Sequence, residues 1–463
     1  MHSESSQAHK LSVPQRIMYG MGNMGGNFMN LVFMMWIVKC YSPPAGEGVE
    51  IIPVAWLGYA MLAGRIMDAV ADPLIGYWSD NANTRWGRRI PFLMFGGLPM
   101  CLVFFLMWAP PVQIFTTPVS MYIYLCVLMA AFWFLFTVVL CPYLALLPEI
   151  AVSTEDRVNL AVYQSVFLMA SSGIIMGASP VLKEKLGFPA MGAVFAVLAL
   201  IAVYAPVFAV RERYKPKGGK PEYGLITSLM WSYGNKPFMV YLLSSVFAQL
   251  GFNIIIASLA IIVTVILKKS DSFTAVILGG SGLFAVVTFL FMNKLCARFD
   301  KRRVYLAGML SQALLLPLVW VFGQYDVTLR IPLGQGLVLS EVAIAFLVFS
   351  LTGFSIASIM VLPMPILSDI IDLDELKTGE RREAMYFGAQ GFLQKLGAGL
   401  SGIIMTQLFS RFGYSADNHL GVDLLGPVGG FLVFIGFVIF VFYPLTEDKA
   451  AEIRAKLEAR RTA

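Results

Sequence analysis

Three ionisable side chains, Arg65, Asp68 and Asp72, interrupt an apolar run that extends from Pro53 to Ser79. Their spacing places all three on one face of a helix. Two carboxylates one turn apart in a low-dielectric setting cannot both stay ionised without a cation, a proton or a basic partner. Arg65 can neutralise one of them, which leaves the other to bind H⁺ or Na⁺. Lys395 stands alone in a distant apolar stretch, too far from its ends to snorkel well, and is expected to reach the Asp68/Asp72 pair. A static salt-bridge knot is the alternative use of the same charges. Ionisable groups in hydrocarbon cost ~2.5–3.5 kcal/mol on insertion scales, so the ion-pathway reading is the stronger.

Three polar stripes accompany the charges. Tyr19, Asn23, Asn27 and Asn30 recur about every fourth residue in the first apolar segment, beside Gly20, Gly22, Gly25 and Gly26. Tyr386, Gln390 and Gln394 form a second stripe, and Tyr163 with Gln164 a smaller one. Such faces either line a water-filled cavity that takes a solute or hold helices together. A loop running from Asp80 through Arg85, Arg88 and Arg89, with Arg302 and Arg303 in a second basic loop, is expected to latch a gate at one membrane face.

Elements that could position these residues must cross a bilayer. The chain has 463 residues, 58% hydrophobic and 13% charged, against about 25% charged in soluble domains. That composition excludes a soluble enzyme, a disordered protein and a nucleic-acid-binding domain. The three histidines, His2, His9 and His419, are not at metal-ligand spacing, and the five cysteines are odd in number and mostly within apolar runs. A hydrocarbon core of ~30 Å needs about 20 helical residues. That length picks out twelve spans, near 14–41, 53–79, 90–109, 121–147, 158–182, 189–210, 238–267, 273–292, 304–323, 338–368, 384–412 and 425–443. With both termini on the inner side, about 25 of the 34 basic residues fall inside, a strong positive-inside bias. The expectation is a multi-pass protein of the plasma membrane (the inner membrane in a bacterium) with both termini cytoplasmic.

The basic, Gly- and Pro-containing stretch after the sixth span divides the chain. Residues 1–210 form one six-helix bundle, 211–237 a cytoplasmic linker, 238–446 a second bundle and 447–463 a cytoplasmic tail. Features recur across the divide. Arg85-Trp-Gly-Arg-Arg89 has a counterpart in Arg298-Phe-Asp-Lys-Arg-Arg303, and Pro142…Pro148-Glu149 one in Pro363…Ser368-Asp369. Parallel six-helix repeats are the architecture of major facilitator transporters, with a substrate site between the halves.

The sequence resembles the glycoside–pentoside–hexuronide:cation symporters, the melibiose-permease-like branch of that superfamily. The resemblance rests on Tyr19-Gly20-x-Gly22, Arg65-Ile-Met-Asp68-Ala-Val-Ala-Asp72-Pro73-Leu-Ile-Gly76, Arg85-Trp-Gly-Arg-Arg89, Pro142-Tyr143 with Leu147-Pro148, and Lys395. It is also similar to the sodium-coupled lysophospholipid symporters, through Glu383-Ala-Met-Tyr-Phe387 leading to Lys395. The resemblance implies a cation site at Asp68 and Asp72, with Thr137 as a hydroxyl ligand and Arg65 and Lys395 as its basic partners. Ala71 stands where the family has an Asn ligand, a loss that weakens Na⁺ more than H⁺. The family's sugar-anchoring carboxylates match Asn27 and Leu140, its aromatic platform matches Leu144, and its sugar-contacting Arg matches Ser165. A cavity so changed is poorly furnished for a simple galactoside.

The expectation is therefore an all-α membrane protein of twelve spans that carries out cation-coupled symport of a glycoside-type solute by alternating access. The coupling ion is H⁺ or Na⁺, and no other cofactor is expected. Candidate solute contacts are Tyr19, Asn23, Asn27, Tyr163, Gln164, Tyr386 and Gln390. Its partners are a small molecule and the bilayer, with no nucleic acid, and the chain is expected to act as a monomer. A lysolipid or other amphipathic solute is the alternative cargo. An intramembrane aspartyl enzyme is the remote rival, since such enzymes draw their two aspartates from different helices.

Overall fold

The structure, a computed structural model, describes residues 11–151, 154–209, 233–324, 329–331, 337–380 and 382–462. Most of the linker expected at 211–237 lies outside them. Contacts divide the chain into two compact units, Met1–Ser42 with Ile51–Glu222, and Pro43–Glu50 with Tyr223–Ala463.

The first unit contains α1 (Val13–Tyr41), α2 (Val54–Asn81), α3 (Ile90–Trp108), α4 (Pro118–Ile150) and α5 (Thr154–Ala209). α5 is two spans in one, because Gly187 takes φ +80° and breaks the helix just before Pro189. The second unit contains α6 (Lys236–Ile261), prolonged by a π turn at Ile262–Ile266, then α7 (Phe273–Phe299), α8 (Lys301–Leu315) and α9 (Leu318–Gln324). A hairpin not foreseen from the sequence follows, β1 (Leu329–Ile331) antiparallel to β2 (Leu337–Leu339). After it come α10 (Glu341–Val361), α11 (Pro363–Thr378), α12 (Glu383–Phe412), α13 (Leu420–Asp423), α14 (Leu425–Val441) and α15 (Glu447–Thr462). The ninth and tenth spans are each split, at Pro317 and ahead of Pro363, where proline has no N–H to continue the helical ladder.

Nine helices among the described residues are long and apolar enough to cross a membrane, and α5 supplies two crossings. α1 and α12 fall short on composition because they carry the polar stripes; their lengths of 29 and 30 residues span a bilayer. Counting them, the fold has its twelve spans. Within the first unit α1 lies so close to α4 that a Cβ on Gly22 would enter the Tyr143 ring. In the second, a Cβ on Gly251 of α6 would strike the Gly429 carbonyl of α14. Both are the close backbone approaches that small residues permit between membrane helices.

Candidate functional site

α2 presents its charges to α1 and α4. Asp68 is buried, and its two oxygens have separate partners. Thr137 Oγ1 donates to Asp68 Oδ1 at 2.8 Å, and Arg65 Nη1 lies 3.5 Å from Asp68 Oδ2. Arg65 also donates from Nη2 to Asn30 Oδ1 at 3.2 Å, and its guanidinium sits 3.6 Å over the Trp133 ring. Cation–π contact and a charged hydrogen bond together make up for water lost by the guanidinium. Trp133 and Thr137 are one helical turn apart on α4, so a single face of that helix holds both ends of the Arg65–Asp68 pair. The sequence reading missed Trp133; its spacing from Thr137 was the signal available.

Asp72 is one turn further along α2 and half-buried. Pro73 follows it inside the helix and has no N–H, so the Ala69 carbonyl lacks its helical donor. Carboxylate oxygens of Asp68 and Asp72 and the Thr137 hydroxyl are hard donors, of the kind a small monovalent cation or a proton takes. Arg65 is matched to Asp68, and the second carboxylate, Asp72, stands one turn away on the same helix. Among the described residues no group of three or more His, Cys, Asp or Glu side chains could hold a metal ion. Lys395 belongs to α12 of the second unit, where it is half-buried.

The polar stripes are used differently from one another. Tyr19 faces no cavity: it is fully buried, its hydroxyl donates to the Tyr143 carbonyl at 3.2 Å, and the Tyr143 hydroxyl donates to the Tyr19 carbonyl at 2.7 Å. Gln164 closes this knot by donating to the Tyr143 hydroxyl at 3.0 Å. Tyr386 is buried as well and accepts a hydrogen bond from Asn235 at 2.8 Å. Tyr19, Gln164 and Tyr386, expected on a solute-facing surface, thus have these polar groups engaged within the helix packing here. An aromatic ring with one polar tip satisfies its hydroxyl inside the helix packing more readily than a water-facing stripe requires. Asn23 and Asn27 also serve packing, donating to the Gln164 carbonyl at 3.4 Å and to the Ser171 and Ser172 hydroxyls at 2.8 and 2.9 Å. Tyr163 and Gln390 stay half-buried.

The basic loops also separate into two roles. Arg88 and Arg89 converge on Glu149, buried at the end of α4. Arg88 binds Glu149, Arg89 binds it at 2.9 Å, and Arg89 also meets Asp80 at 2.8 Å. In the second unit, Lys301 binds the buried Asp369 and lies 3.4 Å from Glu447. The other expected gate residues stand outside these cages. Arg85 stacks 4.0 Å over the exposed Trp86, Arg302 donates to the Val441 carbonyl at 2.7 Å, and Arg303 is exposed. Glu149 and Asp369 were visible in the internal repeat, but their partners are set by packing across distant segments.

Comparison with known proteins agrees with this architecture. The family model described as MFS/sugar transport protein matches residues 18–447. An uncharacterized symporter of Synechocystis is 24% identical over 99% of each chain. A putative glycoside/cation symporter of Escherichia coli is 23% identical, covering 98% of this chain and 96% of its own. A glucuronide carrier protein homolog of the same bacterium is 23% identical over 96% and 95%. Among solved structures, a nucleoside transporter superposes with a TM-score of 0.63 at 12% identity, over 92% of this chain and 98% of its own. A bacterial homolog of the lysosomal transporter Spinster does so with 0.63 at 11%, over 93% and 95%. At such identity these structures establish the fold alone.

Proposed function

The chain belongs to the MFS/sugar transport protein family, and from that premise we propose that it couples entry of H⁺ or Na⁺ at Asp68 and Asp72 to symport of a glycoside-type solute. It is a multi-pass membrane transporter and not an enzyme. The observation that carries the ion assignment is Asp68, held by Thr137 and Arg65 with the second carboxylate one turn away. A cation or proton arriving at these carboxylates stabilises the closed arrangement of helices and raises affinity for the solute. Names of the glycoside/cation symporter and the glucuronide carrier homolog support a hydroxyl-rich cargo. Ala71 offers the site no side-chain oxygen, which favours H⁺ over Na⁺. Lys395 is assigned to the same ion-coupled step, and the basic cages to gating on the cytoplasmic side, where positive charge concentrates. Solute contacts are narrowed to Tyr163 and Gln390.

Purified protein in liposomes tests this. A panel of glycosides and lysolipids is offered under an imposed pH gradient and, separately, a Na⁺ gradient. Accumulation of a glycoside driven by one gradient is the expected result. Accumulation of lysolipids alone overturns the cargo, and binding without flux overturns the transporter cycle.

A further inference from the structure

The two basic loops correspond position for position, and the cages they build draw their second acid from different places: Asp80, which binds Arg89, and Glu447, which binds Lys301. In Arg85-Trp86-Gly87-Arg88 a cation lies over the next aromatic ring, the third residue takes φ +110°, and the fourth reaches the buried Glu149. In Arg298-Phe299-Asp300-Lys301 the cation lies 5.4 Å from the ring, the third residue takes φ +73°, and the fourth reaches the buried Asp369. Asp300 is not glycine, yet it keeps the left-handed conformation and accepts the Arg302 N–H as the cap of α8. The turn that aims the fourth residue inward is therefore retained in both halves.

The first cage has a second carboxylate, Asp80, from the last turn of α2. The last turn of α7, Cys296-Ala297-Arg298-Phe299, has none. There the second carboxylate is Glu447, the first residue of α15, whose Oε2 lies 3.4 Å from Lys301 Nζ. α15 is fastened to its own half. Ala450, Ile453 and Leu457 are buried along one face, and Arg460 donates to the Leu376 carbonyl of α11 at 2.9 Å. Arg454 holds Glu447 from the next turns at 3.0 Å.

We propose that Glu447 is a positioning residue of the transport cycle: through Lys301 it completes the second cage, as Asp80 completes the first, so that seating of the tail helix sets how firmly Lys301 holds Asp369. A covalently adjacent acid keeps the first cage permanently supplied. The second cage receives its acid from a separate helix, so that the seating of the tail governs turnover. This inference rests on the gating reading of the cages given above.

The test uses full-length protein in liposomes, with gradient-driven uptake and thermal unfolding followed together. Glu447→Gln is expected to change the maximal uptake rate about threefold, the size of a half-exposed ion pair, with the KM for solute unmoved. Glu452→Gln on the exposed side of the same helix is expected to do nothing. Cys296 stands in the last turn of α7, within electrostatic reach of Glu447 and Lys301, so Cys296→Asp should return a Glu447→Gln protein toward the wild-type rate. On a Lys301→Met background, Glu447→Gln should add no further change. Wild-type rates in Glu447→Gln overturn the proposal, as does a changed rate that Cys296→Asp does not restore. Asp80→Asn separates the two levels. If it alters the rate and Glu447→Gln does not, only this inference fails; if neither does, the gating reading fails with it.

Discussion

The two halves share a scaffold and not a chemistry. Counting back from the helix ends, Arg65, Asp68 and Asp72 of α2 correspond to Leu283, Val286 and Leu290 of α7. Counting back from Glu149 and Asp369, Trp133 and Thr137 correspond to Gly353 and Ala357. Every member of the charged cluster is thus apolar or absent in the second half, while the cages at Glu149 and Asp369 persist in both. A buried carboxylate is costly wherever it stands, so its presence in one copy of a repeat marks a task that one copy performs. The cages recur because each half must fix its own loop at the membrane surface.

The largest effect that could break this comparison comes from Asp68. Asp68→Asn is expected to lower gradient-driven uptake by a hundredfold or more, on the order of 3 kcal/mol of lost ion coupling. Val286→Thr at the corresponding place in the second half should stay within about twofold, since nothing there is charged. Comparable losses in the two variants, measured as initial uptake in liposomes, would contradict the asymmetry.

The cages offer the next contrast. Glu149→Gln leaves Arg88 and Arg89 around a neutral group and is expected to cost about 3–5 kcal/mol of stability. Asp369→Asn should cost less, about 1–3 kcal/mol, because Lys301 keeps Glu447. Denaturation of purified protein, by loss of the detergent-solubilised monodisperse peak on heating, ranks them.

Much of this was legible in the sequence, and the reasons differ by residue. Charge within an apolar run is unmistakable, so Arg65, Asp68 and Asp72 stand out without a structure. The twelve spans follow from length, although α1 and α12 had to be recognised through their polar stripes. Repeat spacing exposed Glu149 and Asp369. The partners of those acids were not legible, since Arg88 is 61 residues from Glu149 and packing alone brings them together. Burial of Tyr19 and Tyr386 was equally hidden. A tyrosine spaced four residues from an asparagine or glutamine has the same pattern whether its face meets water or another helix, and only the Tyr143 and Asn235 contacts show its packing.

A smaller effect sharpens the ion assignment. Thr137→Val removes a hydroxyl from Asp68 and should lower apparent ion affinity about threefold to tenfold if Na⁺ is coupled, where each oxygen counts. If H⁺ is coupled, the change should be a modest shift in the pH dependence of uptake. The smallest contrast is steric. Gly22→Ala pushes against Tyr143 and is expected to cost about 1–3 kcal/mol, whereas Gly279→Ala in α7 meets no atom within 4 Å and should be neutral in the same heating assay.

The central claim is that the incoming cation or proton is taken up at the Asp68 and Asp72 carboxylates. Uptake into liposomes of Asp72→Asn protein, with and without an imposed ion gradient, tests it directly. The account predicts that the gradient no longer drives accumulation while solute still exchanges across the membrane at equilibrium. Accumulation at the wild-type rate under that gradient would contradict it.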